Sequence, residues 1–364
     1  MNKLFTQTLL ATVVATAAVG TAAAKDLVFV SWGGAYTASQ QKAYHEPWMA
    51  MHSDIKIVND DSGGGALAKL RAMQEAGNLT WDLIDMTASD AMIACDEGLA
   101  MEIDHDTMLA AAPDGTPASK DFGVMIVSPC YIPQIVYSTT FGYRKDMVGD
   151  TPPTSINDVF DLEKYPGKRS LEKRPLNNFE WALLADGVPP DQIYEVLGTD
   201  EGVERALAKL DTIKDQVVWW EKGAQTPQLL ADGEVVMGST YNGRLFSVIE
   251  EEKQPIAMMW DWQVFDLDGW VVPVGGKNEA EVMEYLKFAT DTQRLADQAK
   301  YISYGPARAS SAPMVGKHAT LGIEMGPHMP TAPDNAKHTL LYNYEFWADN
   351  LDDMNEKFQA WLAQ

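Results

Sequence analysis

The stretch "DLVFVSWGGAYTASQQKAYHEPWMAMHSDIKIVND", residues 26–60, reads as strand, helix, strand. Apolar and aromatic residues fill "DLVFVSW", a short run that the glycines at 33 and 34 bring to an end. "TASQQKAYHEPWMAMH" is compatible with a helix, and "DIKIVND" repeats the strand signal. Working outward, "GALAKLRAMQEAG" reads as helix and "WDLIDM" as strand. "SDAMIACDEG" is then a helix that Ser89 can cap and Gly98 can end. Strands alternating with helical patterns predict βαβ units and a largely parallel sheet covered by helices.

Residues 104–123 are rich in Pro, Gly, Ala and Asp and read as a loop, after which the strand "YIPQIVYST" carries the chain elsewhere. From about residue 138 turns and short helices punctuate the sequence. A second alternation follows: "QVVWW", "TPQLLADG", "EVVMGST", "GRLFSVIEEE" and "IAMMW", then the strand "GWVVPV". An amphipathic helix over 344–362 closes the chain. The 364 residues exceed the ~250 at which single cores usually stop growing. We therefore expect two α/β lobes, one of residues 25–137 plus 269–305 and the other of residues 138–268 plus 306–364.

The first residues, "MNKLFTQTLLATVVATAAVGTAAAKD", combine Lys3, an apolar run and Ala22-Ala23-Ala24. That is a secretory signal peptide over residues 1–24 with an A-x-A cleavage site. No later segment approaches the roughly 18 uninterrupted apolar residues of a spanning helix, so the expected mature chain is exported and does not insert into a membrane. Asp and Glu number 52 against 28 Lys and Arg, a formal charge of −24. Such a balance repels nucleic acid and anionic membrane faces while concentrating cations. Nucleic acid is therefore not an expected partner. Cys95 and Cys130 lack the spacing of a metal site or a C-x-x-C pair. In an oxidising compartment they form either a bridge or two buried thiols, and spacing does not choose between these.

The six histidines, at 45, 52, 105, 318, 328 and 338, fall into no H-x-x-x-H or H-E-x-x-H pattern, which argues against a zinc enzyme. There is no G-x-S-x-G elbow and no S-x-x-K signature. "WGGAY" lacks both the Lys-Ser/Thr ending of a P-loop and the third glycine of a dinucleotide fingerprint. "DSGGGALAKL", residues 61–70, is either an anion loop at a helix start or a plain strand-to-helix turn. No cofactor and no enzymatic activity are expected.

Aromatic residues recur instead at strand ends, where open α/β sheets place their ligands. Trp32 and Tyr36 follow the first strand, Trp219 and Trp220 end another, Tyr241 follows "VVMGST", Trp260 and Trp262 follow "IAMM", and Trp270 starts "WVVP". Arg244, in "TYNGRLF", and Asp268, before Gly269-Trp270, stand among them. In a shared cleft, Asp268 would accept hydrogen bonds from an ammonium, Arg244 would clamp a carboxylate, and ring faces would add cation–π attraction.

With these residues in place the chain resembles the periplasmic solute-binding proteins of ABC importers, of the spermidine/putrescine-binding type. The resemblance runs through "SWGGAY", "WDLIDMTASDAMIACDEGLAMEID", "SINDVFDLEKYPGKRSL", "LLADGEVVMGSTYNGRLF", "VFDLDGWVVPVGGKNEAEVMEYLKFATD" and "YISYGPAR". It implies the two-lobe (type II) periplasmic binding protein fold, each lobe a mixed sheet flanked by helices, with the ligand cleft between them. It also implies residence in the periplasm as a monomer that closes on one solute and docks on an inner-membrane permease. Trp32 and Tyr36 then match aromatics that pack on a ligand's alkyl chain, Thr87 and Ser89 a polar pair after the third strand, Tyr241 an aromatic before Asn-Gly, Asp268 the acid that holds an amino group, and Tyr304 a cleft tyrosine.

The sequence also departs from that pattern. "EKRPLNNFEWAL" has Arg174 and Asn177 where polyamine binders carry acids, Asp266 replaces an expected tryptophan, and Arg244 adds a positive charge. Losing an ion pair and adding a like charge in a buried site costs several kcal/mol. The expected ligand is thus a small amine: a polyamine, or an ω-amino acid such as γ-aminobutyrate with its carboxylate on Arg244. A betaine-like zwitterion held by ring faces, and a secreted enzyme on the same scaffold, are the competing readings.

Overall fold

The structure is a computed structural model that describes residues 24–364. The expected signal peptide lies outside the described residues apart from Ala24. Ten strands form one continuous sheet: β1 Lys25–Val30, β2 Ile55–Asp60, β3 Leu83–Thr87, β4 Ile132–Arg144, β5 Arg169–Glu172, β6 Val217–Trp220, β7 Met237–Tyr241, β8 Ile256–Val271, β9 Gly305–Pro306 and β10 Thr339–Leu341. The order is β2-β1-β3-β8-β4-β7-β5-β6, with β10 added on β8 and β9 on β4. At one end β2, β1 and β3 pair in parallel, as the βαβ pattern predicted; at the other β7, β5 and β6 do so, around a β5 that lies in a stretch expected to hold only turns and short helices. The middle is antiparallel, because β8 runs against both β3 and β4, and β4 against β7.

The two central strands depart most from expectation. "IAMMW" and "GWVVPV" were read as separate strands, yet β8 runs unbroken through "DWQVFDLD" between them. β4 likewise continues past residue 138 to Arg144. Register shifts at Pro133/Ile135 and Thr139/Phe141 break the alternation that marks a strand in sequence. Trp262 adopts φ 53 inside β8, a left-handed conformation costly for a bulky residue. Its carbonyl accepts a bond from the Trp181 indole at 2.8 Å and its ring stacks on His338 at 5.3 Å. Both strands span the junction, so each half of the sheet is tied to the other by continuous backbone.

Separate cores flank the junction. Leu27, Phe29, Tyr44, Trp48, Trp270, Tyr285 and Leu286 pack together on the β1 side. Phe141, Leu171, Phe179, Trp181 and Leu183 pack on the β5 side, joined by Trp347, Met354, Phe358 and Trp361 of the C-terminal helix Tyr344–Leu362. Asn343 caps that helix, its side chain accepting from the Phe346 N–H at 2.9 Å. Past residue 305 the chain does not leave the β1 side at once: Arg308 is buried against Asp121 at 2.7 Å, and Ala307 packs in the first core. Cys95 and Cys130 are disulfide-bonded, with Cα atoms 5.6 Å apart, tying the helix Ala88–Asp96 to the segment entering β4. No helix among the described residues is long and apolar enough to cross a membrane.

Candidate functional site

A small pocket at the junction is walled by Trp32, Tyr36, Thr87, Ile135, Tyr137, Tyr241, Arg244, Asp268 and Tyr304. Chain order explains how they meet. β1 ends into Trp32, and Gly33 and Gly34 take φ of 72 and 60, which turns the chain at once into the helix Gly34–Gln40 carrying Tyr36. β3 ends at Thr87, directly opposite Asp268 of β8 in the ladder, and the Thr87 side chain caps the next helix. β4 contributes Ile135 and Tyr137, while β7 ends at Tyr241 just before the short helix Asn242–Phe246 with Arg244.

Asn242 fixes this corner. Its side chain accepts from the Ser138 N–H at 3.0 Å and donates to the Ser303 carbonyl at 2.6 Å, holding Tyr304 against the cavity. Glycine follows at 243 for lack of room, since a Cβ there would stand 2.5 Å from the Tyr304 ring. The tyrosines form a box, with ring centroids at 5.8 Å for Tyr36–Tyr304, 6.0 Å for Tyr137–Tyr304 and 5.4 Å for Tyr137–Tyr241. Burial holds all four phenols well above their ordinary pKa, so they are neutral hydroxyls rather than charges.

The two charged walls differ in their partners. Arg244 is 5% exposed; its Nη1 donates to the Gly33 carbonyl at 3.2 Å and its Nη2 to the Trp32 carbonyl at 3.0 Å, bonding one lobe to the other across the cleft. Its guanidinium lies 5.7 Å from the Tyr241 ring centroid, and its buried Nε has no hydrogen-bond partner among the described residues. A Cβ at residue 34 would sit 2.9 Å from Nη1, so "WGGAY" serves this contact with both a turn and clearance. Asp268 is 4% exposed and accepts only the Gly269 N–H, at 2.9 Å, with no salt bridge among the described residues. Burial first, then Asp85 and Asp266, hold its carboxyl well above the usual range, against smaller opposing pulls from the Gly269 N–H and the Trp32 indole. A cavity with an unpaired acid, an arginine and aromatic walls suits a solute with an apolar middle and a cationic end.

Seven of the nine expected site residues line this cavity and two do not. Trp270 is core, packed edge-on against Tyr44 at 5.7 Å. It shares the sheet face of Asp268 but lies two residues further along β8, about 7 Å deeper into the lobe. Ser89 is buried behind Thr87, with the hydroxyls 3.4 Å apart. Trp219 packs on Phe358 and Trp361, Trp220 is core, and Trp262 stacks on His338, so none of these lines the cavity. The glycines of "DSGGG" admit Trp32 rather than a ligand at one position at least: a Cβ on Gly63 would stand 3.0 Å from its ring.

Sequence reasoning missed Ile135, Tyr137, Gln134 and Asp85, and noted Asp266 only as a departure from the family pattern. The register shift at Pro133/Ile135 lets Gln134 and Ile135 both reach Tyr36, the first through a 2.8 Å bond from the Tyr36 hydroxyl. A glutamine in the apolar run "YIPQIV" and an aspartate inside "LIDM" were the available signals. Asp266 accepts from the Tyr137 hydroxyl at 2.7 Å, and burial pushes it up to about 6. Arg174, noted for replacing an acid, pairs with Glu172 at 2.8 Å and does not line the cavity.

Comparison with known proteins places the chain in a family. The profile of the family described as bacterial extracellular solute-binding protein matches residues 43–331. The gamma-aminobutyric acid-binding protein of Pseudomonas aeruginosa is 34% identical over 348 residues, covering 96% of this chain and 94% of that protein. Among solved structures, the PBP MotA from A. tumefaciens B6 in complex with glucopine superposes with a TM-score of 0.82 at 29% identity, covering 93% of this chain and 100% of that one. The Atu4243–GABA receptor gives 0.77 at 31% identity, covering 93% and 98%. The chain belongs to the bacterial extracellular solute-binding protein family, the substrate-binding components of ABC importers.

Proposed function

We propose that the protein captures a small ω-amino acid of the γ-aminobutyrate kind in the periplasm and hands it, as a monomer, to an inner-membrane permease. The observation that carries the reading is the pairing of charges in one pocket: Asp268, buried and without a cation partner among the described residues, and Arg244, buried with an Nε that has no partner among them. The ammonium docks on Asp268 and the carboxylate on Arg244, while the tyrosine box and Ile135 pack on the methylenes between. Relatives described as binding γ-aminobutyrate support this choice. A polyamine would bring a second ammonium against Arg244, a like-charge contact costing several kcal/mol in a desolvated site.

Capture proceeds by hinge closure. The hinge is β4 and β8 where they cross the junction, around Tyr137–Thr139 and Val264–Asp268, and the lobes are the two halves of the sheet with their own cores. Ligand contacts from both sides favour the closed state over the open one, which is the condition for ligand-driven closure. Calorimetry of γ-aminobutyrate binding to the wild type and to Asp268→Asn tests the assignment. Saturable binding that Asp268→Asn abolishes is expected; unchanged affinity in the variant would remove Asp268 from the site.

A further inference from the structure

Behind the cavity lies a second buried acid that the ligand does not reach. Asp85 of β3 stands opposite Trp270 in the β3–β8 ladder, and Thr87 stands opposite Asp268. Side chains alternate along a strand, so Asp85 and Asp268 share a sheet face as diagonal neighbours, about 7–8 Å apart at their backbones. Asp85 is 1% exposed; Oδ2 accepts from the Gln40 side-chain amide at 2.9 Å, and Oδ1 has no partner among the described residues. Tyr36 sits over both acids, yet its hydroxyl is committed to Gln134 and donates to neither.

We propose that Asp85 and Asp268 hold a shared proton while the cleft is empty, and that docking of an ammonium group on Asp268 expels it to solvent. The inference rests on the ammonium reading given above. The step balances: the O–H bond of one carboxyl breaks, its proton passes to the buffer, and the carboxylate left behind accepts N–H bonds from the ligand. Asp85 is thereby a positioning residue, setting how much charge the Asp268 end accepts. Two desolvated carboxylates on one sheet face, each felt by the other, do not both ionise readily. Tyr36 and Tyr44 face them from the helical segment 34–45, Asp266 from β8, Tyr131 from the turn into β4, Tyr285 from the helix Glu279–Ala289, and Tyr304 from the last wall. All of these are acids or neutral phenols. Of the cations beside these phenols, Arg244 bonds the Trp32 and Gly33 carbonyls and Arg294 pairs with Asp297. In line with this geometry, burial pushes Asp85 up to about 8.

Calorimetric titration of the full-length mature protein with γ-aminobutyrate, in phosphate and in Tris near neutral pH, counts the protons released. Roughly one proton per ligand is expected in the wild type, with affinity rising up to about tenfold per pH unit below neutrality. In Asp85→Asn the count falls below about half and the pH slope flattens, because Asp268 has lost its proton-sharing partner. A wild-type count near zero, or one unchanged in Asp85→Asn, overturns the proposal. If γ-aminobutyrate gives no heat in either buffer, the ligand reading fails alone, and carboxyl carbon NMR of the ligand-free wild type decides the proton. A buried aspartate titrating above pH 7 sustains it, and aspartates that all titrate in the ordinary range refute it; neither readout needs the variant to fold.

Discussion

Arg244 carries two loads, and replacing it with alanine separates them. In the closed protein its Nη atoms bond to the Gly33 and Trp32 carbonyls at 3.2 and 3.0 Å, and in the proposed complex its free Nε side receives the ligand carboxylate. Hydrogen bonds from a charged donor contribute about 1.5–3 kcal/mol each, and part of that is recovered when the opened cleft fills with water. Loss of the latch is thus expected to cost any cleft ligand about 1–2 kcal/mol, roughly five- to thirtyfold in affinity. Loss of the carboxylate clamp adds about 2–5 kcal/mol for an amino acid alone. Titration of Arg244→Ala with γ-aminobutyrate and with n-butylamine, which lacks the acid, isolates the second contribution. The expected result is a loss of at least about a hundredfold for γ-aminobutyrate and of no more than about thirtyfold for the amine. Equal losses for the two would refute the clamp, and a loss under about threefold for both would refute the latch as well.

Further outcomes follow from other parts of the molecule. Reducing the Cys95–Cys130 bridge, which closes a loop of 35 residues, should lower unfolding stability by about 3–4 kcal/mol, read as a shift in the denaturant midpoint. Trp270→Ala should destabilise the protein by about 3–5 kcal/mol in the same assay, because it empties core; Trp270→Phe should leave γ-aminobutyrate affinity within about threefold. Glu180 is fully buried, accepts the Trp347 indole N–H at 2.8 Å, and is pushed by burial up to about 7. The folded state therefore binds this proton more tightly than the unfolded one. Its contribution is complete below the unfolded value of about 4.3 and is lost as pH rises through about 7. Thermal melts between about pH 5 and pH 8 should show that loss in the wild type and a flatter profile in Glu180→Gln.

The parts of this protein legible in its sequence are those governed by local pattern. Alternation of "LVFV", "IKIV" and "LIDM" with amphipathic helices placed β1, β2 and β3 correctly; strand ends led to Trp32, Tyr36 and Tyr241, and the family resemblance to Thr87 and Tyr304. What escaped was governed by register. The bulges in β4 and the left-handed Trp262 in β8 break period-two alternation, so two long strands crossing between lobes read as three short ones. The same breaks hid Gln134 and Ile135. Trp270 misled for a related reason: a tryptophan two residues from an aspartate of the pocket looks like a ligand wall, but two residues along a strand carry a side chain about 7 Å into the core. Arg244 was found by its charge, while its bonds to the carbonyls of Trp32 and Gly33 depend on lobes brought together only by the fold.

The central claim is that one chamber selects a single ammonium at Asp268 and a carboxylate at Arg244. Competitive calorimetry of the wild type with γ-aminobutyrate and putrescine, which share a four-carbon scale and differ at one end, tests it most directly. The account predicts saturable binding of γ-aminobutyrate at least about a hundredfold tighter than that of putrescine, equivalent to about 3 kcal/mol between a paired and a like-charged end. Putrescine binding as tightly as γ-aminobutyrate, or more tightly, would contradict it.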